Sequence, residues 1–185
     1  MPRFYTMSAG IATKYYFADV DNSSMGEALA DWSYRQLADF KGRALLRIEK
    51  GTTLGDFVDN GALLLVVHDR VLRILESNGI RAYATFDVVL LDRLGEELPG
   101  YRGLAILGRG GPNDPSLVEH YVTKRGTKSR RIFGLRPTEW DGSDLFLLDD
   151  MYRVALATER VKTLFAKEKV TNCLFEPAEG FKIPF

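Results

Sequence analysis

The feature that most constrains the fold of this chain is a segment that occurs twice. The clearer copy, LLDDMYRVALATERVKTLFAKEKVTNCLFEP, occupies residues 147–177, and a weaker copy, VDNGALLLVVHDRVLRILESNGIRAYATF, occupies residues 58–86. Identical residues recur at one constant spacing: Asp59 with Asp149, Arg70 with Arg160, and Val71 with Val161. Both copies have one plan, which is a turn, an apolar strand, a polar cap, an amphipathic helix and a second strand.

The weaker copy predicts a complete strand–helix–strand unit. Ala62–Val67 includes no polar side chain, which indicates a strand that is covered on both faces. Asp69 follows, where its carboxylate would cap the next helix or interact with the positive end of the helix dipole. The apolar face of that helix is formed by three residues at helical spacing: Val71, Ile74 and Leu75. Gly79 is placed to end the helix, and Ile80–Leu91 predicts the returning strand.

The clearer copy predicts the same unit a second time. Tyr152–Ala157 forms the strand, and Thr158 takes the cap position in place of a histidine. The helix has Glu159 in its first turn and Lys167 and Lys169 near its end, which is the favourable polarity for the helix dipole. Its apolar face is again formed by three residues: Val161, Leu164 and Phe165. Arg70 and Arg160, at matching places, are expected to pair with nearby carboxylates.

The segments outside the repeat add mostly strands. Lys14–Val20 is rich in aromatic residues and Arg43–Glu49 alternates polar and apolar residues, so both predict strands. Leu104–Leu107 predicts a shorter strand. Glu27–Phe40 carries apolar side chains at roughly helical spacing and predicts a helix, whereas residues 1–12 predict no regular element.

We therefore expect an α+β fold with a mixed or antiparallel sheet. A single domain is expected to cover residues 1–185, with the first repeat unit at about 55–91 and the second at about 145–177. Neither unit can bury its apolar face alone, so the two are expected to pack together. No linker rich in Pro, Gly or Ser divides them.

Composition narrows the functional classes. Hydrophobic content of 45% and charged content of 27% are ordinary for a globular protein. The chain has 25 basic and 25 acidic residues, so no global field attracts nucleic acid, and nucleic-acid binding is unlikely on this ground. No apolar run is long enough to span a membrane and no signal peptide opens the chain, so we expect a cytoplasmic protein. Cys173 lies in an apolar run and is interpreted as a small buried residue.

Candidate catalytic and metal-binding residues are few. The glycines of residues 108–114 (GRGGPND) have the composition of a phosphate-binding loop, but no Lys-Ser/Thr follows them and no GxGxxG is present. His68 precedes Asp69, yet the second copy has Thr158 there, so we favour a helix start over a general base. His120 is isolated. The alternative function is a small enzyme or nucleotide-binding protein that uses the glycine loop with one of these histidines. No metal site and no cofactor are expected.

Two charged clusters are candidate contact surfaces. Five cations lie within residues 124–131: Lys124, Arg125, Lys128, Arg130 and Arg131. Phosphate contacts and a solvated hairpin tip are both possible interpretations, and we favour the hairpin tip. Five carboxylates surround a tryptophan in the other cluster: Glu139, Asp141, Asp144, Asp149 and Asp150, around Trp140. This cluster is our candidate partner-binding site, because tryptophan supplies contact area and the acids steer a basic partner. The alternative is a turn whose acids cap local amides while Trp140 packs on the core.

The strand, polar cap, helix and second strand of the repeat, in this order, resemble a pattern found in bacterial immunity proteins of polymorphic toxin systems. The family meant is that of a domain of unknown function first noted in myxobacteria. The matching segments run from Lys14 to Pro177: KYYFADV, DFVDNGALLLVVHDRV, DGSDLF and ATERVKTLFAKEKVTNCLFEP. The chain departs from the family in its longer middle segment and in having His68, where a small hydroxyl residue is commoner. The resemblance implies a cytoplasmic, non-catalytic protein that binds and neutralises a cognate toxin or effector. It carries over no contact residues and fixes neither the identity of the toxin nor the oligomeric state.

Overall fold

The computed structural model describes residues 2–11, 13–21, 33–61 and 64–182 of the chain. Its two α-helices in these ranges are α1 (Asp69–Ser77) and α2 (Glu159–Lys167). Its strands are β1 (Phe4–Ala9), β2 (Phe17–Val20), β3 (Arg43–Lys50), β4 (Phe57–Val58), β5 (Val66–His68), β6 (Tyr83–Leu91), β7 (Tyr101–Ile106), β8 (Gly108–Arg109), β9 (Val118–Val122), β10 (Lys128–Ile132), β11 (Leu145–Leu148), β12 (Met151–Thr158) and β13 (Cys173–Pro177). The α+β prediction is confirmed.

Two mixed sheets carry most of the strands. The six-stranded sheet has the order β2-β3-β6-β7-β5-β4, and its β3–β6 pair is parallel. This sheet curls so that its two edge strands, β2 and β4, approach each other. The Ala18 amide of β2 donates to the carbonyl of Asp59, the residue after β4, at 2.8 Å. The five-stranded sheet has the order β13-β1-β12-β11-β8, and β9 and β10 form a separate two-stranded hairpin. A mixed sheet was one of the two predicted forms.

The two repeat units have the same topology. In the first unit β5 and β6 flank β7 and are antiparallel to it, so they are parallel to each other. In the second unit β12 and β13 flank β1 in the same way. Each unit is therefore a split strand–helix–strand unit whose two strands enclose a third strand from elsewhere in the chain. The prediction of two related units is confirmed, and the inserted strand is a feature that the repeat did not reveal.

Several strands and one helix have bounds in the structure that differ from the predicted ones. β1 lies within residues 1–12, for which no regular element was predicted, and it is a central strand of its sheet. The predicted strand Ala62–Val67 is shifted to Val66–His68, and residues 62–63 lie outside the described ranges. Of the predicted helix Glu27–Phe40, residues 27–32 also lie outside them, and the remainder contains a 3-10 helix at Gln36–Asp39.

The first turns of α1 and α2 differ in how they are capped. His68 is the N-cap of α1, and its Nδ1 accepts a hydrogen bond from the Arg70 amide at 3.2 Å. Asp69 is the first helical residue, so its carboxylate lies at the positive end of the dipole and is not the cap. Thr158 is the N-cap of α2 as predicted, but its hydroxyl donates to Asp144 at 2.6 Å.

The ends of both helices have matching backbone conformations. Gly79 follows α1 with a φ of +70°, and Lys169 follows α2 with a φ of 53°. Ile80 donates to the Leu75 carbonyl and Val170 to the Phe165 carbonyl, each at 2.9 Å. Gly79 therefore ends α1 as predicted, while the second unit places a lysine in the left-handed conformation that glycine tolerates best.

Replacing Lys169 by glycine is expected to stabilise the protein by about 1 kcal/mol, because the strain of a side chain at positive φ is removed. The mirror-image change, Gly79→Ala, is expected to destabilise it by about 1 kcal/mol. Urea unfolding at equilibrium measures both changes. If Lys169→Gly does not stabilise the protein and Gly79→Ala does not destabilise it, the assignment of left-handed helix ends is contradicted.

The repeated arginines connect the two units reciprocally. Arg70 of α1 pairs with Asp56 at 2.8 Å and donates to the carbonyl of Glu168, the C-cap of α2. Arg160 of α2 pairs with Asp144 at 2.7 Å and donates to the carbonyl of Asn78, the C-cap of α1, at 2.5 Å. Each arginine thus supplies a cation and a donor at the negative end of the other helix. The predicted pairing of both arginines with nearby carboxylates is confirmed.

The hydrophobic core is shared between the units. One cluster contains apolar residues of both helices and both sheets, and the Phe57 and Phe165 rings, one from each unit, lie 6.0 Å apart. A smaller cluster lies on the other side of the five-stranded sheet: Ile132, Leu135, Phe146, Leu148, Met151, Leu156 and Ala178. The smaller cluster carries the surface described next.

Candidate functional site

An open groove of about 840 Å³ lies beside the smaller hydrophobic cluster. Three chain segments line it: residues 2–5, which lead into and begin β1, residues 133–138 after β10, and residues 177–180 at the end of β13. Leu117 and Trp140 complete the lining. The groove is thus built from five separate parts of the sequence that the five-stranded sheet and the hairpin bring together.

The aromatic floor of the groove is held by packing. The Phe4 ring meets the Trp140 ring edge to face at 5.2 Å and the buried Phe146 ring at 5.1 Å. The Trp140 indole donates to the Ser143 carbonyl at 2.9 Å, so its one polar atom is satisfied within the protein. Trp140 therefore presents apolar surface to the groove without an unsatisfied donor.

The walls of the groove are joined by backbone hydrogen bonds. The Leu135 amide donates to the Ala178 carbonyl at 2.8 Å, and the Ala178 amide donates to the Phe4 carbonyl at 3.0 Å. Phe133 remains 45% exposed, although its amide is fixed to the Leu117 carbonyl. Exposed aromatic side chains of this kind are enriched where proteins bind one another.

The charged residues of the groove stand at its exposed rim. Arg3, Arg136 and Glu179 are all exposed, and Arg136 pairs with Asp114 at 3.0 Å. Hydrogen bonds from Ser116, together with Arg136, hold the pKa of the Asp114 carboxyl below its ordinary value. The groove therefore has an apolar interior and a polar rim, which is the usual composition of a protein interface.

The β9–β10 hairpin rises from the wall of this groove, since Leu117 and Phe133 flank its two strands. Its cations fall into two groups. Arg130 donates to the Asp150 carbonyl at 3.0 Å, and Arg131 lies 3.6 Å from Glu119 and over the Tyr121 ring at 4.6 Å. The others are exposed and have no ion pair with any described residue: Lys124, Arg125 and Lys128.

The carboxylates predicted to surround Trp140 do not line the groove. Asp144 pairs with Arg160, Asp149 lies 4.0 Å from Arg35, and Glu139 is exposed outside the lining. Asp150 accepts a hydrogen bond from the Asn113 amide at 2.9 Å and lies 3.6 Å from Arg130. Asp150 follows the alternative interpretation, in which the acids cap local amides while Trp140 packs on the core, whereas Asp144 and Asp149 face arginines.

Asp141 shows why these acids are committed to the fold. It accepts hydrogen bonds from the Arg109 amide at 2.8 Å and the Ser143 amide at 2.9 Å. Burial raises the pKa of Asp141, but the bonds from Ser143 and Arg109 outweigh it, so the carboxyl pKa lies below its ordinary value. The ionised carboxylate thus fixes the turn that carries Trp140.

The residues of the alternative enzyme interpretation lie on separate elements of the fold. His68 caps α1 and packs against Tyr101 at 5.2 Å, and His120 is exposed on β9. Neither histidine lines the groove. In the glycine loop, the Gly110 amide donates to the Leu147 carbonyl at 2.9 Å, and the Arg109 and Asn113 amides donate to Asp141 and Asp150. These amides are already engaged, so the loop does not offer a phosphate a set of free donors.

The remaining predicted features concern metal, cysteine and membrane. The described ranges contain no group of three or more His, Cys, Asp or Glu residues placed to hold a metal ion. Cys173 begins β13 as a partly buried free thiol, and burial raises its pKa, which disfavours the reactive thiolate. Among the described residues, no helix is both long and apolar enough to cross a membrane.

No protein-family model and no curated protein matches this chain. The surface therefore has to be interpreted from its own geometry.

Sequence reasoning found parts of this surface without finding the groove. Trp140 and the basic residues 124–131 were singled out, but as members of two unrelated clusters. Phe4 and Phe133 were not singled out, because neither belongs to a motif or to the repeat. The available signal was an aromatic residue two positions after the basic residues 124–131, as Phe133 is.

Proposed function

We propose that this protein is an immunity-type interaction protein, which binds and neutralises a cognate bacterial toxin in the cytoplasm without catalysing a reaction. The observation that carries the proposal is the groove with its aromatic floor and the adjoining basic hairpin. Phe133 stands exposed on a fixed backbone, and the rim is charged. Such a combination suits a protein segment that inserts an apolar side chain and is bordered by polar contacts.

The placement of the titratable groups also supports a binding function. Catalysis by acid–base chemistry needs two or more such groups that converge on one substrate position. Here His68 is used as a helix cap, and Asp56, Asp141 and Asp144 are used by arginines and backbone amides. The groove lining contains no histidine and no cysteine.

The resemblance to immunity proteins supplies the kind of partner. In the two repeat units, the Asp–Arg pairs and the helix ends stabilise the fold, so the pattern that carries the resemblance describes a scaffold. The hairpin and most of the groove lie outside both repeat units, where a scaffold can vary its binding specificity, and the second unit contributes only Pro177 to the lining and Phe146 beneath it. A toxin encoded beside the gene for this protein is the partner that this interpretation predicts.

Co-expression tests the proposal. Cells that express the protein encoded by the adjacent gene are expected to stop growing, and co-expression of this chain is expected to restore growth. The purified pair is expected to elute as one stoichiometric complex in size-exclusion chromatography. Growth arrest that persists, together with separate elution of the two proteins, would reject the proposed function.

A further inference from the structure

The end of the β9–β10 hairpin is an isolated patch of positive charge on a protein with no net charge. Lys124, Arg125 and Lys128 are exposed and have no ion pair within the described ranges, whereas Arg130 and Arg131 are neutralised near the base. The two cations nearer the base pair with carboxylates of the protein, whereas these three project together into solvent at the end of the hairpin. Three neighbouring cations form a local positive field that attracts an external anion.

The hairpin holds these cations in a defined position. Its base is anchored by the buried Ile132 and by the hydrogen bond from Arg130 to the Asp150 carbonyl. At its end, Thr123 and Thr127 close the turn, with the Thr123 amide 2.9 Å from the Thr127 carbonyl and the Thr127 amide 3.1 Å from the Thr123 hydroxyl. Gly126 supplies the positive φ of 79° that this turn needs. A preorganised turn loses little conformational freedom when it binds.

The surroundings of the cations favour protein over nucleic acid as the source of the anions. Val122 is 64% exposed beside them, which adds a small apolar contact. The Tyr121 ring carries the Arg131 guanidinium, so this face is not open for stacking on a base. Three free cations also provide fewer phosphate contacts than the roughly six to ten that give tight, salt-sensitive binding to nucleic acid.

We infer that the end of this hairpin docks on an acidic surface of the protein partner, next to the segment that occupies the groove. This inference rests on the proposed function and adds the sign of the partner's charge. The contacted surface is rich in Asp and Glu. Because the hairpin end is cationic, it does not imitate the anionic backbone of a nucleic acid. If the toxin acts on nucleic acid, its basic substrate cleft lies outside the hairpin contact.

The test uses surface plasmon resonance with the purified product of the adjacent gene at 50 and 300 mM NaCl. For the unmodified protein, association is expected to slow about tenfold or more at the higher salt concentration, because charge-steered encounter is screened. The variant K124E/R125E/K128E is expected to associate about 30-fold or more slowly at 50 mM NaCl, with a smaller change in dissociation rate. The association rate of the neutral variant K124Q/R125Q/K128Q is expected to lie between those of the unmodified protein and K124E/R125E/K128E.

The matched control K41E/R43E/R73E reverses three exposed cations away from the hairpin: Lys41 just before β3, Arg43 at the start of β3 and Arg73 on α1. It changes the net charge equally and is expected to leave association within about threefold of the unmodified protein. Equal slowing by both triple variants, or none by either, overturns the inference but leaves the proposed function standing. Hairpin-dependent binding to a 20-base-pair DNA duplex or a 20-nucleotide RNA also overturns it, in favour of nucleic acid. If the unmodified protein does not bind the toxin, the proposed function fails and the inference fails with it.

Discussion

Replacing Phe165 by alanine is expected to lower the free energy of unfolding by about 3–5 kcal/mol, because it opens a cavity in the shared core. Phe165 is 2% exposed and packs against Phe57 of the first unit and Phe175 of its own unit. The ring therefore joins the two units, and its loss is expected to destabilise both. Urea unfolding followed by tyrosine and tryptophan fluorescence and by far-ultraviolet circular dichroism measures the change.

The same experiment distinguishes one core from two. Hydrogen exchange at α1 and at α2 is expected to accelerate together in the Phe165→Ala variant, because neither unit retains a complete core. Leu54→Ala is the control, since Leu54 is 42% exposed and its loss is expected to cost less than about 0.5 kcal/mol. An α1 that keeps its protection while α2 exchanges freely would show that the units fold separately.

Replacing Phe133 by aspartate is expected to weaken binding to the proposed toxin partner about 100-fold, which corresponds to about 2.7 kcal/mol. The carboxylate removes the aromatic anchor and places a charge against the apolar interior of the groove. Because Phe133 is 45% exposed in the free protein, the variant is expected to fold normally. Isothermal titration calorimetry of the variant and the unmodified protein gives the comparison.

Leu54→Asp is the matched control for this change, because Leu54 has a similar exposure and lies outside the groove lining. Its affinity for the toxin is expected to stay within about twofold of the unmodified value. Phe133 is preferred to Trp140 as the probe, because Trp140 packs on Phe4 and Phe146 and its removal would also disturb the fold. Unchanged affinity in Phe133→Asp would remove the groove from the binding site.

The repeat predicted the scaffold well, because each of its signals is local. Helical spacing of apolar residues and a polar residue before each helix place α1 and α2 correctly, and Gly79 marks the end of α1. The reciprocal bonds of Arg70 and Arg160 to the opposite helix ends could not be predicted in the same way. They depend on how the two units are oriented, which the sequence of one unit does not encode.

β1 was missed because its sequence, FYTMSA, lacks a clear alternation. Tyr5, Thr6 and Met7 are all buried, since the strand lies inside the sheet between β12 and β13. A strand that is covered on both faces loses the period of two by which half-buried strands are recognised. The insertion of this strand into the second unit is a long-range pairing of the two ends of the chain.

The candidate site was predicted only in fragments for a related reason. The acids around Trp140 are close in sequence, and short acidic side chains in turns readily accept hydrogen bonds from nearby amides. Asp141 and Asp150 do so here, while Trp140 packs on Phe4 and Phe146. The groove instead brings Trp140 close to Phe4, and Phe133 and Ala178 lie in the same lining.

Hydrogen exchange of the protein, free and bound to the product of the adjacent gene, tests the central claim most directly. The proposed surface predicts that binding slows amide exchange in β9, β10 and residues 133–138, and leaves exchange in β3 unchanged. Slowed exchange confined to β3 and β6, with the hairpin and the groove unaffected, would contradict it.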